Sequence, residues 1–533
     1  EAYKHRRDEV AQTTGQLSAM LSEMMGSKDS SEHLTANILR KAFSNLKENY
    51  DARNGGFGSA PKFPQPNVLE FLLSYFWHSK DKEALEIVEA TLKKMARGGI
   101  YDQIGGGFHR YSTDATWLVP HFEKMLYDNA QLSQVYLHIY QITGDQFART
   151  VSENTFDYIL REMRDSQGGF FSAQDADSNG IEGDYYTWSA QEIAEAVGKK
   201  VYDPLSRYYG ITPQGNFDGK NILYIANEIN TESLYIIEKS KAALLKRREQ
   251  RIKPGRDDKI LASWNGLMLS GLAEAARTFN REDYLNAAIA NGDFLCNFMI
   301  VDGYLMHTYK DGEAGIDGYL QDYALVIEGL LSLHQATLEG KWLQQAISLT
   351  GIMIEQFRDE NTGTWYDNGK RHEELFIRPK NITDETMPCG SSAATMVLLK
   401  LATLTNNGLF QDIAEQSLRS VADVISKYPN GYSNWLCALS FHLMKPKQII
   451  IVGHRDNPAT LELLDTLYRT LIPNIVVAAY GPGDIALPSD LKFMENKQML
   501  NGQPTAYICQ GYTCKTPVTD AVSLAAQLQR DDT

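Results

Sequence analysis

The sequence predicts a mainly α fold: an (α/α)6 six-hairpin barrel with a rim insertion and a small C-terminal α/β appendage. Three observations lead there. From residue 34 to about 444, segments with helical apolar spacing follow one another, amphipathic ones alternating with ones apolar nearly all round. Short Gly–aromatic turns recur between them: GGFG (55–58), GGGFHRY (105–111), GGFFSAQDADS (168–178), DGYLMHTYKDG (302–312) and GTWYDNG (363–369). After residue 445 the apolar period changes from helix to strand. Alternating amphipathic and buried helices suggest two concentric rings; a stacked helical solenoid is the competing arrangement.

In chain order, residues 1–25 carry Val10, Leu17, Leu21 and Met24 near helical spacing and read as a helix whose apolar face packs on something outside the barrel, such as an upstream domain, with 26–33 as linker. Twelve barrel helices are expected over 34–50, 66–78, 82–97, 120–143, 146–164, 261–279, 281–299, 321–338, 341–357, 391–405, 409–427 and 432–444. Residues 170–258 interrupt them. There, EGDYYTW (182–188) and NILYIA (221–226) read as strands and 231–251 as a charged helix. SAQEIAEAVG (189–198) reads as a helix with Ser189 and Glu192 at capping-box spacing. The appendage, 445–533, offers strands at 447–453, 474–481 and 505–511 and a helix over 458–470, with a parallel strand pair.

Composition narrows the function. Lys and Arg number 52 against 67 Asp and Glu, a net of −15, which argues against nucleic acid and anionic membranes as main partners. No apolar run approaches the roughly 18–20 residues that span a bilayer. Five cysteines in 533 residues suggest a reducing, cytoplasmic setting rather than a disulfide scaffold. Cys509 and Cys514 match neither CxxC nor zinc-ligand spacing, although a hairpin could join them. QDADSNG (174–180) resembles a calcium loop only in its first positions, and P-loop, GxSxG and HExxH motifs are missing. No cofactor or metal is expected.

The densest polar stretch is 105–131, GGGFHRYSTDATWLVPHFEKMLYDNAQ. A helix starting near Pro120 would put His121, Met125 and Asp128 on one face with Glu123 to the side. In a helical barrel, residues at the starts of inner helices line the mouth. Here they are His109, Asp114, His121, Glu123 and Asp128; Gln174, Asp175, Asp177 and Glu182; Trp264 and Asn265; Asp317, Tyr319, Asp322 and Tyr323; Asp384 and Glu385; Asn434 and Trp435. Carboxylates beside aromatic rings suit a sugar, whose hydroxyls pair with carboxylates and whose apolar faces stack on Trp and Tyr. His109, His121, Asp128, Asp175 and Asp177 are the catalytic candidates; Glu123, Trp264, Asn265, Asp322 and Tyr323 are the substrate-binding ones. Each also has a structural reading. His121 with Asp128 can be a satisfied core pair, Asp322-Tyr323 a helix cap, Trp264-Asn265 packing plus a cap, and the basic run 239–256 a solvated helix face.

The stretches GGFGSAPKFPQP (55–66), GGGFHRYSTDATWLVPHFEKMLYDNAQL (105–132), QDADSNGIEGDYYTW (174–188), DDKILASWNGLMLSGLA (257–273), DGYLQDYA (317–324) and TAYICQGYTCKTPV (505–518) resemble the spermatogenesis-associated protein 20 family. That resemblance implies a thioredoxin-like domain with a Trp-Cys-His-Trp-Cys-His motif ahead of a barrel similar to six-hairpin glycosidases and N-acylglucosamine 2-epimerase. This sequence contains no such motif, so no redox role passes to any residue here. The family pattern Asp-Gly-x-x-Pro-Ser-Gly-Asn-Ser becomes DETMPCGSS (384–392), with Cys389 for Ser and Ser391 for Asn. The expected function is a carbohydrate-active barrel, either a sugar epimerase/isomerase or a glycoside-processing enzyme. The alternative is a non-catalytic binding or scaffold module serving the thioredoxin-like domain.

Overall fold

The computed structural model describes residues 5–6, 33–373, 375–481, 494, 496–511 and 513–529. The helix expected over 1–25 and its linker lie almost wholly outside the described residues. In chain order the helices are α1 (Ala36–Glu48), α2 (Pro66–Ser79), α3 (Lys82–Arg97), α4 (Leu126–Thr143) and α5 (Gln146–Glu162). The insertion contributes α6 (Ala190–Val197), α7 (Lys199–Tyr208) and α8 (Thr231–Arg248). Next come α9 (Ala262–Phe279), α10 (Glu282–Phe298), α11 (Leu320–Thr337), α12 (Gly340–Phe357), α13 (Gly390–Thr405), α14 (Gly408–Ile425) and α15 (Ser433–Leu443). The appendage adds α16 (Pro458–Tyr468) and α17 (Ala521–Gln529).

Helices α2, α4, α9, α11, α13 and α15 pack side by side in that order, and α15 returns to α2. The closed inner ring excludes the solenoid. The amphipathic α1, α3, α5, α10, α12 and α14 pack outside it. The Gly–aromatic turns carry the chain from outer to inner helix by one construction. The backbone N–H groups of Gly55, Gly106, Gly168 and Gly363 donate to the carbonyls of Asp51, Asp102, Asp165 and Asp359. The aromatic that follows, Phe57, Phe108, Phe170 or Trp365, bridges back to Tyr50, Tyr101, Arg164 or Arg358 and is buried. Gly106 and Gly168 have φ of 76° and 106°, and a Cβ there would lie 2.3 and 2.5 Å from the carbonyls of Asn154 and Ala290. Only glycine fits such a turn.

Four expectations need correction. Helix α4 starts at Leu126, not near Pro120. Pro120–His121 is a short strand paired with Tyr111–Ser112, and Lys124–Met125 pairs with Ala173–Gln174. Neighbouring rim loops supply backbone partners before the chain can coil, and proline suits a strand edge as well as a helix start. Residues 302–312 are more than a turn: Tyr304–Lys310 is a strand, in a hairpin with Glu313–Asp317. In the insertion, the first expected strand is paired only at its ends, Glu182 with Asp177 and Trp188 through a single bridge to Asn221, and that bridge is all that remains of the second. Within the basic run, Arg248 is buried and salt-bridged to Asp102, with Nη1 to Oδ1 at 2.8 Å. Asp102 also holds the buried Lys124 at 2.9 Å, and both cations lie over the Tyr186 ring. Burial lowers the Lys124 ammonium to about 8, against the pull of Asp102.

The appendage is built on Lys447–Val452, parallel to Ile475–Tyr480 and antiparallel to Thr505–Gln510. It packs on the C-terminal ends of the inner helices. Gln141 Nε2 donates to the Tyr468 carbonyl at 2.9 Å, and Val477 N–H donates to Gln335 Oε1 at 2.9 Å. Cys509 and Cys514 face each other across the terminal hairpin and are disulfide-bonded, so two of the five cysteines are joined. Among the described residues no helix is long and apolar enough to cross a membrane.

Candidate active site

A cavity of about 300 Å³ runs along the barrel axis, walled by all six inner helices and floored by Leu467–Pro473 and neighbours from the appendage. Its lining follows helical spacing. Glu70, Ser74 and His78 come from α2, and Gln131, Gln134, His138 and Gln141 from α4. Ser270 and Glu274 come from α9, and Glu328, Ser332 and Gln335 from α11. Residues three, four and seven apart share a helix face, so each of these four otherwise apolar helices turns a polar stripe to the axis, while α13 and α15 present mainly Ala393, Met396, Val397, Cys437 and Phe441.

Charged groups meet in this cavity. His138 Nδ1 lies 2.8 Å from Glu70 Oε1, and its Nε2 lies 3.0 Å from Glu274 Oε1. Burial alone would push the imidazole toward neutrality, but the two carboxylates outweigh it and hold its pKa well above the usual histidine value. Burial likewise works to raise Glu274, while His138 holds it below the ordinary range. Gln134 Nε2 donates to Glu274 Oε2 at 2.9 Å. Lys400, from α13, pairs with Glu328. Glu328 Oε2 and the amide oxygens of Gln131 and Gln141 are buried without a hydrogen-bond partner.

The mouth, at the N-terminal ends of the inner helices, holds some of the residues expected from sequence. Asp128 is 3% exposed, and burial raises its carboxyl well above the ordinary range, against the pull of Arg110. Its Oδ2 has no partner. Arg110 Nη1 contacts Glu123 Oε2 at 3.0 Å, and His121 Nε2 lies 3.6 Å from the same oxygen. His121 Nδ1 bonds Glu182 Oε1 at 2.8 Å, and its ring stacks on Tyr111. Trp264 meets Tyr127 edge-on at 4.8 Å, in an apolar cluster with Met125, Leu267 and Met387. The loop after Asp384 reaches over this end: Gln131 Nε2 donates to the Thr386 carbonyl at 2.9 Å, and Gln321 Nε2 to the Pro388 carbonyl at 2.6 Å.

The other candidates sit elsewhere. His109 is 1% exposed, bonds the Phe122 carbonyl through Nδ1, and is held far below the usual histidine range by burial. Asn265 is buried and clamps Phe170 by accepting from its N–H (2.8 Å) and donating to its carbonyl (3.0 Å). Asn129 clamps Phe108 in the same way, at the same position of α4. Tyr323 is buried, and its hydroxyl accepts from Leu305 N–H. Asp175 and Asp177 are exposed, at and beside the 177–182 hairpin, away from the axial cavity. Asp322 is buried; it accepts from the N–H groups of Ser263 and Tyr319 and holds His307 Nδ1 at 2.8 Å. Asp384 similarly ties Cys389 N–H to Asn434 N–H.

The sequence reading missed Glu70, His138, Glu274, Glu328, Lys400 and His307. The signal for the first five was the polar stripe itself, at helical spacing inside helices otherwise fit only for burial.

The chain is 33% identical to human spermatogenesis-associated protein 20 over 92% of its length, covering 69% of that protein. The chain belongs to the spermatogenesis-associated protein 20 family. The family's rat member is 34% identical over 93% of the chain. No protein-family model matches. Solved structures similar to this member of the family include a cellobiose 2-epimerase from Bacillus thermoamylovorans, with 12% identity, coverage of 74% of this chain and 87% of that one, and a TM-score of 0.48. A D-mannose isomerase gives the same four figures. A family 105 glycoside hydrolase from C. acetobutylicum gives 11%, 74%, 83% and 0.44.

Proposed function

We propose that this protein is a carbohydrate-active barrel that takes a sugar-sized polyol into the axial cavity. The chemistry would be that of a sugar epimerase/isomerase or a glycoside-processing enzyme. One observation carries the reading: Glu70, His138, Glu274, Glu328 and Lys400, from five different inner helices, meet in one small cavity. Small-molecule pockets begin at roughly 300 Å³, and buried charge on this scale is costly unless the site uses it. Hydroxyl and amide side chains between the charges, such as Ser270, Ser332 and Gln335, suit a polyhydroxylated ligand. His138 as imidazolium can donate a proton, and Glu274 or Glu70 can receive one, which proton abstraction beside a carbonyl and glycosidic cleavage both need. At the mouth, His121, Glu123, Asp128 and Trp264 would bind the incoming ring. Turnover of monosaccharides and short glycosides tests this reading, with wild type compared against Glu274→Gln. Background rates in both would end the catalytic claim.

A second reading has two observations in its favour. Both His138 nitrogens are already engaged, and the apolar cluster around Met387 sits at the mouth. A non-catalytic binding or scaffold module serving a thioredoxin-like domain would show that arrangement. It predicts ligand binding without turnover.

A further inference from the structure

The disulfide of the appendage sits where sulfur can react. Cys509 and Cys514 are joined across the hairpin between Thr505–Gln510 and Thr513–Cys514. Thr513–Cys514 is the outermost strand of its sheet, and no further strand among the described residues pairs with it. Lys515 N–H donates to the Ile508 carbonyl at 2.9 Å, so the neighbouring 509/514 pair is a non-hydrogen-bonded one. The N–H and carbonyl of Cys514 therefore face the open edge of the sheet. Cys514 is exposed, whereas Cys509 is 5% exposed and lines an open cavity of about 480 Å³ with Lys445 and Asn406.

Charge singles out one of the two sulfurs. Lys497 Nζ lies 3.5 Å from Cys514 Sγ. Tyr507 holds that lysine's segment in place: its hydroxyl accepts from Gln498 N–H and donates to the Gln498 carbonyl. Burial lowers the Lys497 ammonium, and among the described residues no carboxylate pairs with it. An ammonium beside an exposed sulfur favours its thiolate, the form that attacks and leaves in exchange. The other three cysteines have the opposite setting. Burial pushes the Cys389 and Cys437 thiols well above the ordinary range and Cys296 up to about 12. A structural purpose accounts poorly for the bridge. Its sequence separation is 5, at the short end where a cross-link constrains the unfolded chain least, and the hairpin ladder already joins the two strands.

We propose that Cys509–Cys514 is a thiol–disulfide exchange site, and that its partner is a protein dithiol that lays an extended segment along the free edge beside Cys514. The site shares no lining residue with the axial cavity, so the inference stands apart from the sugar reading. In the reductive direction a partner thiolate attacks Cys514 Sγ, the Cys509–Cys514 bond breaks, and Cys509 leaves as a thiolate that takes a proton from water. The partner's second thiolate then attacks its own sulfur in the mixed disulfide, and Cys514 leaves as a thiolate beside Lys497. The chain gains two electrons, and the partner dithiol becomes a disulfide. In the reverse direction Cys514 attacks and Cys509 resolves.

The test follows the two cysteines in the native chain by alkylation and peptide mass spectrometry. Reduced thioredoxin, as a protein dithiol, should open the bridge at least about tenfold faster than dithiothreitol at equal dithiol concentration, with an unchanged circular dichroism spectrum. In reduced wild type the pH midpoint for alkylation of Cys514 should lie below the roughly 8.5 of a free cysteine, and Lys497→Gln should raise it by about one unit. With oxidised glutathione, Cys509→Ser should accumulate a mixed disulfide at Cys514. A bridge that opens only when urea unfolds the chain overturns the proposal, and so does a thioredoxin rate no greater than that of dithiothreitol. An alkylation midpoint unmoved in Lys497→Gln overturns the part given to Lys497. Should the variants fail to fold, the wild-type rates and midpoint alone still decide.

Discussion

His138 bridges two inner helices through its ring: Nε2 lies 3.0 Å from Glu274 on α9, while Nδ1 lies 2.8 Å from Glu70 on α2. The folded pKa stands well above the 6.5 of a free imidazole. A raised histidine pKa stabilises the fold fully below the unfolded value, and that stability is lost as pH rises through the folded value. The urea midpoint should therefore fall as pH rises above 6.5. His307, also raised by Asp322 against burial, works in the same direction. His138→Gln should flatten most of the slope, and His138→Ala, which leaves two carboxylates facing without a cation, should cost about 3–5 kcal/mol. A wild-type slope unchanged in His138→Gln would contradict this assignment.

Asn129 and Asn265 hold the Phe108 and Phe170 turns through paired backbone hydrogen bonds in buried surroundings. Asn265→Ala strands the Phe170 N–H and carbonyl together. Chemical denaturation should register a loss of roughly 3 kcal/mol, since each stranded buried group costs about 1–3 kcal/mol. Asn265→Asp can still accept from Phe170 N–H but cannot donate to its carbonyl, so it should rescue part of the loss at most.

Arg248 anchors the insertion through Asp102. Arg248→Ala removes that anchor and leaves Lys124 as the cation paired with Asp102. Limited proteolysis should then cut within 189–256 faster than in wild type, while the barrel helices stay protected. Cutting at the wild-type rate would show that the insertion's own apolar core around Trp188, Leu205 and Leu244 suffices.

Asp128 has a folded pKa well above 3.8, so ionising it disfavours the fold, and stability falls as pH rises through that folded value. Asp128→Asn keeps the shape and removes the ionisation. It should melt higher than wild type at pH 7 in a calorimetric scan, and it should weaken any sugar binding that uses the mouth. A lower melting point would mean that the carboxylate is needed as an anion.

The barrel was legible because its physics is local. Apolar periodicity gave all twelve barrel helices, and the Gly–aromatic turns marked every connection they occupy. The site was legible only in part. Rim residues such as Asp322 and Asn265 stood out because they are polar at helix starts, but helix starts also need caps and clamps, and those are the jobs they hold. Glu70, His138 and Glu274 lie 68 and 136 residues apart in sequence, so their pairing depends on ring closure, which no local pattern displays. The early start assigned to α4 had a similar cause, since the partners of Lys124–Met125 come from the loop at 173–174.

The central claim is that the axial cavity is the ligand site. Met396 lines that cavity from α13, and Met396→Trp would fill it without adding charge. Titration calorimetry of wild type and Met396→Trp against a monosaccharide panel is the direct measurement. The account predicts saturable binding to wild type and none to a Met396→Trp protein with an unchanged circular dichroism spectrum. Equal binding to both proteins, or none to wild type, would contradict it.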